Sequence, residues 1–151
     1  MESAIQFEVC KAVQELKARY CRFMDTKQWD QWAEVFADDI VMDCSDDVSP
    51  DIGDPVTRGR DKVVAQVRGF VGEAITVHQV HAPEIELISE TSAKAVWAMS
   101  DVVIWPEGVN SPVPGVTTLH GYGHYHESYE CRDGRWQITS LKLTRLHLQT
   151  F

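Results

Sequence analysis

The apolar residues of this 151-residue chain change their spacing near residue 75. Before that point they recur every three to four residues, as on one face of an amphipathic helix. After it they alternate with polar residues, which is typical of half-buried β-strands. Helices followed by a run of strands is the order of an α+β fold, whereas a parallel α/β sheet needs the two to alternate.

Three helices are expected in the first half of the chain. The first begins after Ser3, a residue that favours the N-cap, and continues to about Lys27. A second helix follows, and we expect its apolar side to contain Trp29, Trp32, Val35 and Phe36. A short strand over 40–43 and a loop over 45–59, rich in Ser, Asp, Gly and Pro, separate it from the third helix, which Gly59-Arg60-Asp61 opens.

Four strands are expected in the second half, over about 75–88, 93–105, 116–131 and 135–148. The last two are joined by Arg132-Asp133-Gly134-Arg135, a hairpin turn of the Asp-Gly type. A curved sheet with helices against one face would enclose a cavity, and such cavities hold small molecules. We expect one domain over residues 1–151.

The charge and the apolar pattern argue against some classes of function. Lys and Arg number 14 against 23 Asp and Glu, a formal net charge of −9 that repels phosphate backbones and anionic lipid. The longest apolar runs fall far short of the roughly 20 residues of a membrane helix. Since the first residues have no basic flank or apolar segment typical of a secretory signal, we expect a cytoplasmic location. The four cysteines form no C-x-x-C pair and are taken as thiols.

Two residues near the end of the first helix are candidates for chemistry. Asp25 lies where the helix dipole disfavours a carboxylate, and Tyr20 precedes it on the apolar stripe. The structural alternatives are a solvated aspartate at the helix end and a core tyrosine with a satisfied hydroxyl.

Two further candidates lie on the predicted strands. Alternation places His78 on the face of Thr76 and Val80, and Asp101 on the face of Trp97 and Met99. If that face is interior, the Asp101 carboxyl needs a charged partner or a proton. A structural histidine and an outward-facing aspartate are the alternatives.

A group of histidines with one glutamate provides a possible metal site. His120, His124, His126 and Glu130 share one strand face, and the H-x-H-x-x-x-E portion resembles the first metal motif of cupins. The glycine spacing of that motif is absent, and no second cupin motif follows. We therefore expect a histidine-rich outer face and no metal ligands. Serine-hydrolase, P-loop and zincin motifs are also absent.

The segment from Tyr20 to Asp39, YCRFMDTKQWDQWAEVFADD, resembles the opening of SnoaL-like domains. These domains belong to the NTF2-like superfamily, with scytalone dehydratase, bile-acid 7α-dehydratase and hexachlorocyclohexane dehydrochlorinase among its members. Gly59-Arg60, Thr76-Val77-His78 and residues 133–138 continue the likeness over nearly the whole chain. The resemblance implies a cone-shaped α+β fold in which three N-terminal helices pack against a strongly curved, mainly antiparallel sheet around a pocket. It also implies a homodimer or homotrimer.

The resemblance also implies roles for individual residues. Asp25 and His78 match the Asp–His dyad of scytalone dehydratase and of the dehydrochlorinase. Tyr20 and Asp101 match a pocket tyrosine and a second aspartate of the bile-acid enzyme. Four further positions match pocket residues of scytalone dehydratase but carry different, mostly less polar side chains, and we expect them to contact the substrate: Met24, Cys44, Trp97 and Tyr125. Such a pocket suits a hydrophobic carbonyl or alicyclic compound.

The resemblance thus predicts a lyase that eliminates water from a β-hydroxy carbonyl compound without a cofactor. His78 would remove the proton α to the carbonyl, Asp25 would fix the imidazole tautomer, and Tyr20 would donate to the enolate oxygen. Asp101, if protonated or water-bridged, would help the hydroxyl depart. An isomerase or cyclase with the same dyad, a non-catalytic binding or assembly module, and a metal-binding variant through His124, His126 and Glu130 remain alternatives.

Overall fold

A computed structural model describes residues 2–47 and 54–151. Helices and strands follow one another as the change of period predicts, with the helices first and the long strands last. Their bounds are α1 Ser3–Asp25, α2 Trp29–Ala33, β1 Phe36–Asp43, β2 Val56–Arg58, α3 Arg60–Val71, β3 Ile75–Val80, β4 Glu84–Ser89, β5 Ser92–Ile104, β6 Thr118–Arg132 and β7 Arg135–Thr150.

The strands form one curved, open sheet in the order β2-β1-β7-β6-β5-β3, and β4 also pairs with β5. The β1 and β7 strands run parallel, while every other pairing among the described residues is antiparallel, so the sheet is mixed. Helices pack against this sheet, and the predicted α+β class is confirmed. Within the described part of the chain, no helix combines the length and the apolar character that crossing a bilayer requires.

The core lies between α1 and the inner face of the sheet. Alternate residues of β5 and β6 are buried, among them Trp97, Met99, Tyr125 and Tyr129. The apolar stripe of α1 covers them, because residues three and four apart share one helix face. Each large apolar side chain buried in this way contributes about 1.5–3 kcal/mol of transfer free energy.

An aromatic cluster fills the end of the core near α2. Trp32 is fully buried, with its ring centroid 5.6 Å from Tyr20 and 4.8 Å from Phe36. Trp29 meets Trp32 edge to face at 5.6 Å. Tilted and edge-to-face contacts of this kind are the preferred aromatic geometries. The cluster anchors the end of α1 that carries Asp25.

Some predicted bounds were wrong. The second helix has only five residues, and Phe36 begins β1 because its carbonyl pairs with side chains from α3 and β7 instead of continuing a helix. The predicted strand over 75–88 is interrupted at residues 81–83, where Pro83 cannot donate to a ladder. Strand β2 lies inside the predicted loop over 45–59, and residues 48–53 of that loop lie outside the described part of the chain.

The turn between β6 and β7 is the predicted hairpin. Asp133 and Gly134 have φ of 52° and 76°, the pair of positive values that a type I′ turn requires. Two register shifts interrupt the ladder that follows, at Tyr122/Gly123 and Ser128/Tyr129. Bulges of this kind bend a strand and increase its twist, which curves the sheet around the cavity.

Candidate functional site

A cavity of about 350 Å³ lies between the helices and the inner face of the sheet. Its wall is mainly apolar, with side chains from α1, α3 and the strands, including Met24, Met42, Phe70, Val103, Leu141 and Leu143. A few polar groups interrupt this wall, and they include His78, Asp47, Asp101 and the two tyrosines Tyr20 and Tyr125. A largely apolar cavity with a few convergent polar groups is typical of a small-molecule site.

Asp25 and His78 are joined by a short hydrogen bond. The Asp25 Oδ1 atom lies 2.7 Å from His78 Nδ1, and Oδ2 accepts the backbone N–H of His78 at 2.8 Å. The imidazole lines the cavity and is only 7% exposed, whereas Asp25 lies behind it at the end of α1. The carboxylate thus accepts from both the ring and the backbone of the same residue, which fixes the ring orientation.

This geometry determines which ring nitrogen is available. Because an ionised carboxylate can only accept, Nδ1 carries the proton of the neutral imidazole. The lone pair is then on Nε2, the nitrogen that is left for a molecule in the cavity. A histidine held in this tautomer, with a carboxylate to stabilise the imidazolium, is equipped to act as a general base.

Two residues support Asp25 from the side. The Thr76 hydroxyl donates to Asp25 Oδ1 at 3.0 Å, and Lys27 Nζ donates to Thr76 Oγ1 at 2.9 Å. Burial lowers the pKa of Lys27, and the charge of Asp25 acts in the opposite direction. These donors offset the unfavourable position of a carboxylate at a helix C-terminus.

Tyr20 and Tyr125 form one wall of the cavity above a buried cation. Their ring centroids are 5.8 Å apart, and Lys17 Nζ lies 3.7 Å and 3.6 Å from them. Lys17 is ion-paired with Glu127, which also accepts from the Tyr129 hydroxyl. Burial raises the pKa of both cavity tyrosines well above the ordinary value, so they remain protonated hydrogen-bond donors.

Asp101 is paired with Arg145 at the edge of the cavity. Arg145 Nη1 donates to Asp101 Oδ1 at 2.6 Å, and Nη2 donates to Oδ2 at 3.0 Å. Both side chains are nearly buried, at 6% and 7% exposure. A guanidinium bound to both oxygens of a carboxylate is a strong, geometrically specific pairing. Asp101 therefore lines the cavity as a partner of Arg145, and its predicted part in the departure of the hydroxyl, protonated or through a water, stays a prediction.

Of the four residues expected to contact the substrate, Met24, Cys44 and Tyr125 line the cavity. Burial raises the pKa of the Cys44 thiol to about 12, which keeps it neutral. Trp97 is not among the lining residues. It lies deeper in the core, where its indole N–H donates to the Tyr129 hydroxyl at 2.8 Å. Trp97 thus packs in the core behind the cavity wall, and its predicted substrate contact stays a prediction.

The histidine-rich face of β6 points away from the cavity. His126 bonds to the Thr144 hydroxyl, and Glu130 pairs with Arg132. The rings of His124 and His126 are 6.3 Å apart. Over residues 2–47 and 54–151, no three His, Cys, Asp or Glu side chains come together as a metal site would require.

Sequence reasoning missed four charged residues of this region, namely Arg145, Asp47, Lys17 and Glu127. Three of them had a readable signal. Lys17 lies four residues after Val13 and three before Tyr20, on the buried stripe of α1. Arg145 continues the inward alternation of Leu141 and Leu143, and Glu127 lies between the inward tyrosines of β6. A charge in phase with an apolar face indicates a buried ion pair. Asp47 had no such signal, because it belongs to a segment without periodicity.

The chain resembles known proteins over most of its length. The profile of the SnoaL-like domain matches residues 7–142. A protein of Gibberella zeae named as a probable cyclase is 30% identical over 154 residues, covering 95% of each chain.

Solved structures share the fold at lower identity. A candidate scytalone dehydratase of Novosphingobium aromaticivorans superposes with a TM-score of 0.80 at 18% identity, covering 99% of this chain and 92% of the other. A hexachlorocyclohexane dehydrochlorinase of Novosphingobium barchaimii gives 0.76 at 16% identity, covering 99% and 94%. Because the family profile spans most of the chain, the chain belongs to the SnoaL-like domain family, and the solved structures share its fold.

Proposed function

We propose that this protein is a small-molecule lyase that eliminates water from a hydrophobic β-hydroxy carbonyl compound. The 2.7 Å contact between Asp25 and the cavity-lining His78 carries this proposal, because it provides a positioned base inside an apolar cavity. The relatives named as cyclase, dehydratase and dehydrochlorinase support an enzymatic role in general.

His78 Nε2 removes the proton α to the carbonyl, and Asp25 stabilises the imidazolium that forms. The hydroxyl of Tyr20 donates to the carbonyl oxygen as negative charge develops on it. Tyr20 is suited to this role because burial holds its pKa high and the proton stays in place. The substrate's own carbonyl stabilises the carbanion, so the proposed chemistry needs no cofactor.

The test is a panel of cyclic and aryl-substituted β-hydroxy ketones, with water loss followed by the absorbance of the conjugated product. H78A should lower kcat by about 10²- to 10⁴-fold, and D25N should lower it by a similar order. The matched control is H126A, which removes a histidine from the outer face of the sheet and should leave the rate unchanged. Equal rates for H78A and the wild type would refute the proposal.

Isomerisation or cyclisation through the same dyad is a second candidate, favoured by the relative named as a cyclase. Both reactions begin with the same proton abstraction and differ in the fate of the enolate. Product analysis on the same panel separates them, because elimination lowers the mass by one water while isomerisation and ring closure preserve it. A non-catalytic binding role would instead leave every compound of the panel unchanged with wild-type protein.

A further inference from the structure

Elimination of water requires an acid as well as a base, and the structure offers two carboxyls for this second role. Asp101 is the Cα partner of His78 in the β3–β5 ladder, and Asp47 lies on the segment that follows β1. Both line the cavity together with His78. They share a single guanidinium, that of Arg145 on β7.

The two carboxyls are bound to Arg145 in different ways. Asp101 is paired through both of its oxygens, whereas Arg145 Nε at 2.7 Å and Nη2 at 2.5 Å both contact the same oxygen of Asp47, Oδ1. One guanidinium carries a single positive charge, whereas two carboxylates contact it: Asp101, at 7% exposure, and the partly buried Asp47, at 24%. A proton on Asp47 would leave the pair of Arg145 and Asp101 intact. Asp47 Oδ2 is the position at which that proton can reside.

The surroundings of Asp47 favour this proton. Burial raises the pKa of Asp47 and the charge of Asp101 adds to the rise, while Arg145 and His78 act against it. On its own segment Asp47 is close to the neutral Cys44, and neighbouring Asp46 accepts the backbone N–H of Arg145. The facing groups are therefore one cation from β7, one carboxylate from β5 and the imidazole from β3.

The geometry points to Asp47 as the general acid of the proposed elimination, with Asp101 holding Arg145 in place. This assignment rests on the proposed function. His78 Nε2 takes the α proton, and the electrons of that C–H bond form the new double bond. The C–O bond breaks with its electron pair on oxygen, and the proton of Asp47 completes a water molecule. His78 then returns its proton to solvent, and Asp47 regains one.

The test compares two leaving groups on one carbon skeleton, a β-hydroxy ketone and its β-acetoxy analogue. Acetate leaves as a stable anion, so its departure does not need an acid. D47N should slow the hydroxy compound by about 10²- to 10⁴-fold and leave the acetoxy compound nearly unaffected. The decline of kcat/KM at high pH on the hydroxy compound should be present in the wild type and missing in D47N. D54N, which changes an exposed aspartate of the same connection, is the control.

The outcomes distinguish a failure of the Asp47 assignment from a failure of the proposed function. If D47N slows both compounds equally, or slows neither, the assignment of Asp47 is overturned while the dyad stands. If the wild type eliminates neither compound, the proposed function fails as well. A thermal melt of D47N shows whether it is folded. Titration of carboxyl carbons by NMR gives an independent readout, and an ordinary pKa for Asp47 would overturn the assignment.

Discussion

Lys17 is a fully buried cation whose charge is matched within the core. Its ammonium is paired with the buried Glu127, and the faces of Tyr20 and Tyr125 cover it. Removing one member of such a pair leaves the other charge buried without compensation, at a cost of about 3–5 kcal/mol. The pair therefore couples the stability of the core to the orientation of the two cavity tyrosines.

We expect K17M to lower the free energy of unfolding by about 3–5 kcal/mol. The double variant K17M/E127Q should recover much of this loss, because glutamine is neutral and can still accept from Tyr129. Urea titration of the wild type, both single variants and the double variant measures the coupling. A double variant as unstable as K17M would contradict this account of the pair.

At the scale of elements, the inner face of β6 contains two glycines for steric reasons. A Cβ at Gly121 would lie 2.1 Å from Arg145 Nη1 and 2.3 Å from Asp101 Oδ1. A Cβ at Gly123 would lie 1.9 Å from the carbonyl oxygen of Thr144, beside the bulge. The first glycine makes room for the ion pair, and the second lets β6 and β7 approach.

We expect G121A to displace the ion pair of Arg145 and Asp101, and G123A to disturb the β6–β7 ladder, each at a cost of about 1–3 kcal/mol. The control is G69A on α3, where nothing lies within 4 Å of the added Cβ. That variant should gain up to about 1 kcal/mol, because alanine favours a helix. Thermal melts of the three variants compare their stabilities, and G69A should be the most stable of them. A stabilised G121A would contradict the packing of Arg145 over β6.

The helices and strands could be predicted from the sequence, whereas the contacts between distant residues of the site could not. The change of period predicted the helices and the long strands, because one buried face imposes a period on each element. The Asp-Gly pair predicted the hairpin, because a type I′ turn needs positive φ at both positions. The proximity of Asp25 and His78 followed only from the family resemblance, since local patterns do not place residue 25 beside residue 78. Residue 47 could not be assigned at all, because its position depends on Arg145, which is distant in sequence.

For the whole molecule, Asp47 contributes a pH dependence of stability with a defined sign. Its pKa lies above the ordinary 3.8 in the folded protein, so the folded state binds more protons than the unfolded state in the interval between the two values. The contribution of Asp47 to the free energy of unfolding is therefore fully present below the unfolded-state pKa. It is lost as the pH rises through the folded-state pKa.

We expect the stability of D47N relative to the wild type to increase as the pH rises from about 4 through the raised pKa of Asp47. Urea unfolding at several pH values measures the difference. A difference that is constant with pH would mean that the pKa of Asp47 is the same in both states.

The homodimer or homotrimer expected from the family resemblance is tested independently. Light scattering or analytical ultracentrifugation of the purified protein gives its mass in solution.

The parallel pairing of β1 with β7 has a consequence for how the molecule forms. Phe36 is aligned with Ile138, so β1 pairs with a strand that lies about a hundred residues further along the chain. Contacts that join distant parts of a chain require long loops to close, and they slow folding. During synthesis the helices emerge well before Leu141, Leu143 and Arg145, which complete the cavity wall. The nascent chain therefore carries Asp25 and His78 for some time before the wall of the cavity beside them is complete.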